Sequence, residues 1–483
     1  MADTLSNFIG GTWVPAATDR ALDVLNPATG KVLAKVPLST ANDVERAVTV
    51  ARNAFETWRR VPPLQRARYL FRYKELLESN FDDLARILTE EHGKTLDEAR
   101  GSVRRGIENV EHACGIPTLM MGDTVEDVAA GIDCETVRQP IGVFAAVTPF
   151  NFPAMVPLWF WPYAVATGNT FIVKPSEQVP LVQQRMFELV ERAGFPAGVL
   201  NLVHGDREVV EALVDHEDIA GLSFVGSSPV AKALYARGAA KGKRMQALGG
   251  AKNHIVVMPD ADMDKSIPTV FESCMGCAGQ RCLAGSVVVA VGDAYDRVVE
   301  GVLAEAKKMV VGNGLEPGVT LGPVISAAHR DRVMSYIASG VQEGATLLLD
   351  GRTVEVRDEP DGNWVGPTVF TDVTDDMKIA KEEIFGPVMM IRRAETLDDA
   401  IAMIRKSPFA NATSLFTSSG KAAREFRYSV GVSMIGINIG VAAPMAFFPF
   451  GGTKNSFYGD TKAHGKDSIR FFTDQKAVIT RWF

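Results

Sequence analysis

Ile141-Gly142-Val143-Phe144-Ala145-Ala146-Val147-Thr148-Pro149-Phe150-Asn151-Phe152-Pro153 is the stretch from which the fold can be read. A compact apolar run ends there in a proline-flanked turn. Further compact runs follow at Thr170 to Lys174, Val199 to Val203 and Leu222 to Val225, separated by helix-length stretches such as Leu181 to Ala193. Strands alternating with helices predict an α/β fold around an open, mostly parallel sheet. Ligands of such sheets lie beyond the carboxyl ends of the strands.

The loops at those ends carry chemistry. Thr148 to Pro153 follows the first run, Lys174-Pro175-Ser176-Glu177 the second, and Gly226-Ser227-Ser228 the fourth, ahead of a helix starting near Pro229. A Gly-Ser pair opening a helix can seat a phosphate, because free N–H groups and the helix dipole favour an anion. A lysine and a glutamate on an adjacent strand end could hold ribose hydroxyls. The common GxGxxG fingerprint is absent from these loops.

At 483 residues the chain suggests two or three domains, and 46% hydrophobic residues are ample to bury them. A formal net charge of -7 disfavours nucleic acid or an anionic membrane as partner. Five cysteines, with neither a basic nor an apolar segment in Met1 to Gly10, lead us to expect a cytoplasmic protein without disulfides. Met155 to Val173 is largely apolar, but Pro157, Pro162, Gly168 and Asn169 break it, so it reads as buried helix followed by strand.

Upstream, Asn26 to Gly30 is a turn between the strand-like runs Leu22 to Leu25 and Val32 to Val36. Helices follow, with caps offered by Asn42 and Asp43, and then around Leu64 to Glu78, Phe81 to His92 and Thr95 to Ala113. On the last, Arg104 is expected to pair with Glu108 one turn away on a solvated face. Short strands are expected between about Val125 and Pro140. Ile469 to Phe483 is β-prone and could add an edge strand to a partner subunit.

Ser273-Cys274-Met275-Gly276-Cys277-Ala278-Gly279-Gln280-Arg281-Cys282-Leu283-Ala284-Gly285 joins a probable helix to the run Val287 to Val289. Cys282 is the candidate covalent nucleophile, and Arg281 is the adjacent charge that could favour its thiolate. Cys274 and Cys277 read as small buried hydrophobes, since no second CxxC or HxxxH completes a metal site; no metal is expected. His254, at the start of an apolar strand, reads as a hydrogen-bonded structural residue. Phe447 to Gly452 reads as a rigid apolar loop able to wall an active site.

Pro149-Phe150-Asn151-Phe152-Pro153, Lys174-Pro175-Ser176-Glu177, Phe224-Val225-Gly226-Ser227, Gly279-Gln280-x-Cys282 and Glu382-Glu383-Ile384-Phe385-Gly386-Pro387 stand in the order found in the NAD(P)-dependent aldehyde dehydrogenase superfamily, which the chain resembles over nearly its whole length. The resemblance implies a Rossmann-type open parallel sheet for NAD, a second α/β catalytic domain and a small β oligomerisation arm. It places the NAD-binding domain at residues 1–123 and 143–247, the catalytic domain at 248–450 and oligomerisation strands at 124–142 and 463–483. It further implies that Cys282 attacks an aldehyde while Asn151 and the Cys282 N–H hold the oxyanion. Lys174 and Glu177 would bind one ribose, Gly226 and Ser227 the pyrophosphate, and Glu383 the second ribose, with Phe150 and Phe385 beside the cofactor. A glutamate at the ribose favours NAD over NADP.

One departure points to a subfamily. Hydrolytic members have a glutamate immediately before Leu-Gly-Gly; here Ala247 stands there, unable to take a proton or orient water. The chain thus resembles the CoA-acylating methylmalonate-semialdehyde dehydrogenases. So do Arg105 to Glu111, Leu119 to Asp123, Gly250-Ala251-Lys252-Asn253-His254 and Ala443 to Phe450. That resemblance implies coenzyme A as co-substrate, a small semialdehyde whose carboxylate is held by Arg105 and Arg281, and a homo-oligomer, dimer or tetramer. The alternative is a hydrolytic enzyme with a displaced base, Glu383 or Glu177. Gly249 stands where a bulkier polar residue is expected, and Gln280 replaces a glutamate of the Gly-Glu-Arg-Cys version; the exact semialdehyde stays open.

Overall fold

Alternate residues of a single strand enter different cores. In the strand Val143–Val147, Val143, Ala145 and Val147 join one apolar cluster while Phe144 and Ala146 join another. The strand Val287–Val291 divides in the same way between two further clusters. Side chains of a strand alternate between faces, so a sheet covered on both faces needs runs apolar at every position.

A computed structural model describes residues 3–483. Its first sheet has eight strands, and five of them, Leu200–Leu202, Thr170–Lys174, Val143–Val147, Ile219–Val225 and Arg244–Leu248, lie side by side in that order and all parallel. The order runs one way from Val143–Val147 and then returns to its other side at Ile219–Val225. A crevice opens where the direction reverses.

The second sheet has seven strands. From edge to edge they are Thr346–Leu349, Thr368–Thr371, Val388–Ala394, Val287–Val291, His254–Val257, Ala412–Phe416 and Met434–Ile437. All pairings are parallel except that of Thr346–Leu349. A separate three-stranded sheet is made by Thr124–Ala129, Ile132–Pro140 and Thr473–Arg481, the last at an edge.

Several expectations need adjustment. Residues 469–472 are not strand: they end the helix Gly465–Phe472, which buries Phe471 and Phe472 against Phe144. Thr40, not Asn42 or Asp43, is the N-cap of Ala41–Trp58; Asp43 completes the capping box by accepting from the Thr40 N–H at 3.0 Å. Arg104 reaches Glu78 on the neighbouring helix (Nη1 to Oε1 2.6 Å) instead of Glu108, because that helix packs alongside. Met155 to Val173 does fold as short helix and strand, and no helix among the described residues is long and apolar enough to cross a membrane.

Candidate active site

Cys282 sits in the loop between a distorted turn, Gly276–Gly279, and the strand Val287–Val291. Cys277 and Ala278 both have left-handed backbone (φ 53° and 52°), which is costly for residues with a Cβ. The surroundings enforce it. The Cys277 N–H donates to Glu98 Oε1 at 2.5 Å, and the ammonium of Lys94 lies 3.7 Å from Cys277 Sγ. Gly279 follows, where a Cβ would come within 2.0 Å of the Gly386 carbonyl oxygen, so glycine lets the Cys282 loop touch the loop carrying Glu383 and Phe385.

The Cys282 carbonyl is held from the other side. Asn253 Nδ2 and Asn411 Nδ2 each donate to it at 2.9 Å. These two residues immediately precede the strands His254–Val257 and Ala412–Phe416, so neighbouring strand starts clamp the nucleophile. Asn253 appears in the sequence motif without a role. Asn411 gives no sequence signal, because its partner is 129 residues away.

Asn151 is buried at the carboxyl end of Val143–Val147. Its Nδ2 donates to the Gln280 carbonyl at 2.9 Å, which leaves the second N–H of the amide for another acceptor. Its own carbonyl accepts from Lys94 Nζ at 2.6 Å, and that ammonium stands 4.0 Å over the Phe152 ring. Lys94 was not singled out in the sequence, yet it joins the Asn151 loop to the Cys277 turn. Gln280 is fully buried; its Nε2 donates to the Cys277 carbonyl and its Oε1 accepts from Ile325 N. A carboxylate could not make that donation.

The Cys282 thiol is pushed up to about 12, chiefly by burial and then by the charge of Glu383. Arg281 acts in the expected direction, favouring the thiolate, but burial outweighs it. Arg281 is turned away, its Nη2 3.3 Å from Glu98 Oε1 and its Nη1 3.7 Å from Glu272 Oε1. Arg105 donates from Nη1 to Glu108 Oε2 at 2.9 Å and from Nη2 to the carbonyls of Ala443 and Pro444. Both arginines line one cavity of ≈ 710 Å³ together with Cys282, Phe450 and His464. Phe450 therefore walls the site, whereas Phe447 and Phe448 of the same loop are exposed.

The cofactor-type residues gather at the reversal of the first sheet. Lys174 Nζ pairs with Glu177 Oε2 at 2.9 Å, so that glutamate is neutralised by its neighbour. Ser227 is the N-cap of Ser228–Ala239, and its side chain makes no bond to the helix start, leaving that N-terminus for an outside anion. Glu383 Oε1 accepts from the Ala251 N–H at 3.0 Å, and burial raises its carboxyl to about 7. Phe150 and Phe385 meet edge to face with ring centroids 5.7 Å apart. A basic side chain, a free helix N-terminus and two acids around this crevice fit a dinucleotide.

Ala247 is fully buried within the apolar core of the first sheet. Gly249 is dictated by packing: a Cβ there would lie 2.6 Å from the Asn455 carbonyl oxygen and 2.7 Å from Ser228 Oγ. His254 is buried and bonds through Nδ1 to the Lys252 carbonyl, as a structural histidine. Cys274 is buried in the second sheet's core.

The fold and this cysteine site are those of an aldehyde dehydrogenase: the family's model matches residues 13–478, and the chain belongs to the aldehyde dehydrogenase family. Within that family it is 51% identical over 479 residues to malonate-semialdehyde dehydrogenase 2 of Bacillus mycoides (strain KBAB4), covering 99% of each chain. It is 52% identical to malonate-semialdehyde dehydrogenase 1 of Geobacillus kaustophilus (strain HTA426), covering 99% of this chain and 98% of that protein. Among solved structures, methylmalonate-semialdehyde dehydrogenase from Oceanimonas doudoroffii superposes with a TM-score of 0.98 at 45% identity, covering 100% and 99% of the two chains. A protein of Sinorhizobium meliloti 1021 complexed with NAD gives a TM-score of 0.98 at 41% identity, covering 100% and 98%.

Proposed function

We propose that the chain is an NAD-dependent, CoA-acylating semialdehyde dehydrogenase. It converts malonate or methylmalonate semialdehyde to acetyl-CoA or propionyl-CoA with loss of carbon dioxide. The observation that carries this reading is the burial of Ala247 in apolar core where a hydrolytic enzyme needs its base. The semialdehyde relatives support the substrate class.

In this reading the Cys282 thiol gives up its proton to solvent, its sulfur bonds to the aldehyde carbon, and the carbonyl electrons move to oxygen. The spare N–H of Asn151 and the Cys282 N–H stabilise that oxyanion. NAD would be held by Lys174, Glu177, Gly226, Ser227 and Glu383, with Phe150 and Phe385 beside it, and would supply the hydride acceptor. Re-formation of the C=O, with the former aldehyde hydrogen leaving the carbon as a hydride to that acceptor, would leave a thioester on Cys282. The thiolate of coenzyme A adds to that thioester, and collapse returns Cys282 as the leaving thiolate. Loss of CO2 from the β-carboxyl group places an electron pair on the α-carbon, delocalised into the thioester carbonyl, where a proton is taken up. Arg105 and Arg281 orient the substrate carboxylate on the cavity wall, which asks it to compete with Glu108 and Glu98.

The chain also acts, in this reading, as a cytoplasmic homo-oligomer, dimer or tetramer, with the domain boundaries given above. The open edge of Thr473–Arg481 and the exposure of Ile479 and Trp482 support assembly through the arm.

One observation favours the hydrolytic alternative: Glu383 titrates near neutrality and its charge acts on the Cys282 thiol, so it could serve as a displaced base. Rapid mixing of enzyme, NAD and methylmalonate semialdehyde separates the two. A burst of about one NADH per active site that stalls until coenzyme A is added is expected from a stranded thioester. Steady turnover without coenzyme A would overturn the acylating reading.

A further inference from the structure

Arg59, Arg60, Arg66 and Arg138 line one pocket of ≈ 500 Å³ with Val61, Pro62, Pro63, Met120, Gln139 and Pro140, and no carboxylate shares that wall. Among the described residues none of the four arginines makes an ion pair, although the chain as a whole carries a net charge of -7. Arg66 is 3% exposed. Its Nε donates to the Ala166 carbonyl at 2.7 Å, its Nη1 to the Val61 carbonyl, and its Nη2 faces Met120 Sδ at 3.6 Å. Every partner is neutral, and burial lowers this guanidinium to about 10. A buried cation without a counter-charge is costly, and four guanidiniums around one concavity repel one another.

We propose that this pocket binds a phosphate-bearing anion at a site separate from the dinucleotide crevice. Guanidinium forks match phosphate oxygens, and four of them around this volume suit a diphosphate group better than a single carboxylate. The pocket abuts Pro140, ahead of the strand Val143–Val147, whereas Phe150 and Asn151 follow that strand. The strand's length of roughly 17 Å, at about 3.3 Å per residue, lies between the two sites. Arg138 belongs to the arm strand Ile132–Pro140, while Arg59, Arg60 and Arg66 flank the junction of the helices Ala41–Trp58 and Pro63–Ser79. An anion held by all four would brace the root of the arm against the first domain.

The test is calorimetric titration of the full-length enzyme with inorganic pyrophosphate, at constant ionic strength and with NAD saturating the crevice. Orthophosphate forms a parallel arm. Saturable binding of one pyrophosphate per chain with a Kd below about 1 mM is expected, orthophosphate binding more weakly, and the melting temperature should rise with ligand. The variant R60Q combined with R138Q should weaken binding at least about tenfold while leaving the NADH burst unchanged; R59Q combined with R138Q serves if the first pair fails to fold. No saturable heat would overturn the proposal, as would binding unaltered in the variant or abolished by NAD. A pocket filled in the assembled oligomer by a carboxylate of a second copy would appear as no binding, and would overturn it too.

Discussion

The two sheets face the active cleft with opposite ends. The first contributes loops that follow its strands: Phe150 and Asn151 after Val143–Val147, Lys174 at the end of Thr170–Lys174, Gly226 and Ser227 after Ile219–Val225. The second contributes loops that precede its strands: Asn253 before His254–Val257, Cys282 before Val287–Val291, Glu383 and Phe385 before Val388–Ala394, Asn411 before Ala412–Phe416. The rule that ligands lie beyond carboxyl ends therefore describes the first sheet's share of the site only. In the other half, the Cys282 loop is fixed by cross-strand amides and by a left-handed turn, and Cys282 is held through its backbone.

The sharpest way to break that division is Asn151, the proposed oxyanion donor from the first sheet. Asn151→Ala should lower kcat by roughly 10²–10³ with NAD affinity unchanged, as loss of a single oxyanion donor does. If NAD binding fails instead, the first sheet serves the cofactor alone.

Arg281 comes next. Loss of a charge-assisted contact of about 1.5–3 kcal/mol should raise KM for the semialdehyde some 10- to 100-fold in Arg281→Ala. KM for propanal, which has no carboxylate, should hardly move. Equal effects on both aldehydes would mean that Arg281 only props the turn through Glu98.

The pH dependence of NAD affinity sharpens the assignment of Glu383 to the cofactor. Its carboxyl is raised to about 7 by burial, so the charged acceptor form is present above that pH and lost below it. Affinity should fall as pH drops from about 8 to 6, by no more than tenfold per unit. Fluorescence titration of NAD should show this in the parent and a flatter profile in Glu383→Gln; an unchanged profile would remove Glu383 from the ribose.

The smallest effect is expected from Asn411→Ala. One of two amide donors to the Cys282 carbonyl is lost, at a cost of about 1 kcal/mol. A small fall in melting temperature and a kcat reduced only a few-fold would show that Asn253 suffices to hold the loop.

Legibility in the sequence followed the range of the interactions. The helix Leu181–Ala193 and the central parallel strands were readable because burial on both faces leaves unbroken apolar runs. Cys282, Asn151 and the loops at Lys174 and Gly226 stood out as candidates because each lies in a short motif. Lys94 and Asn411 were not, since a lone lysine or asparagine in a loop carries no periodic signal. Arg104 took Glu78 because helix packing, not sequence spacing, decides which carboxylate is within reach.

By itself the sequence determined the class of fold, the candidate nucleophile and the alanine at position 247, because these depend on residue type and local pattern. Only the tertiary structure decided what surrounds them. It set Glu98 and Glu108 against the two arginines, raised the thiol of Cys282 by burial and left Arg66 without a counter-charge. Such outcomes follow from which distant side chains share one desolvated space, and no local pattern encodes that.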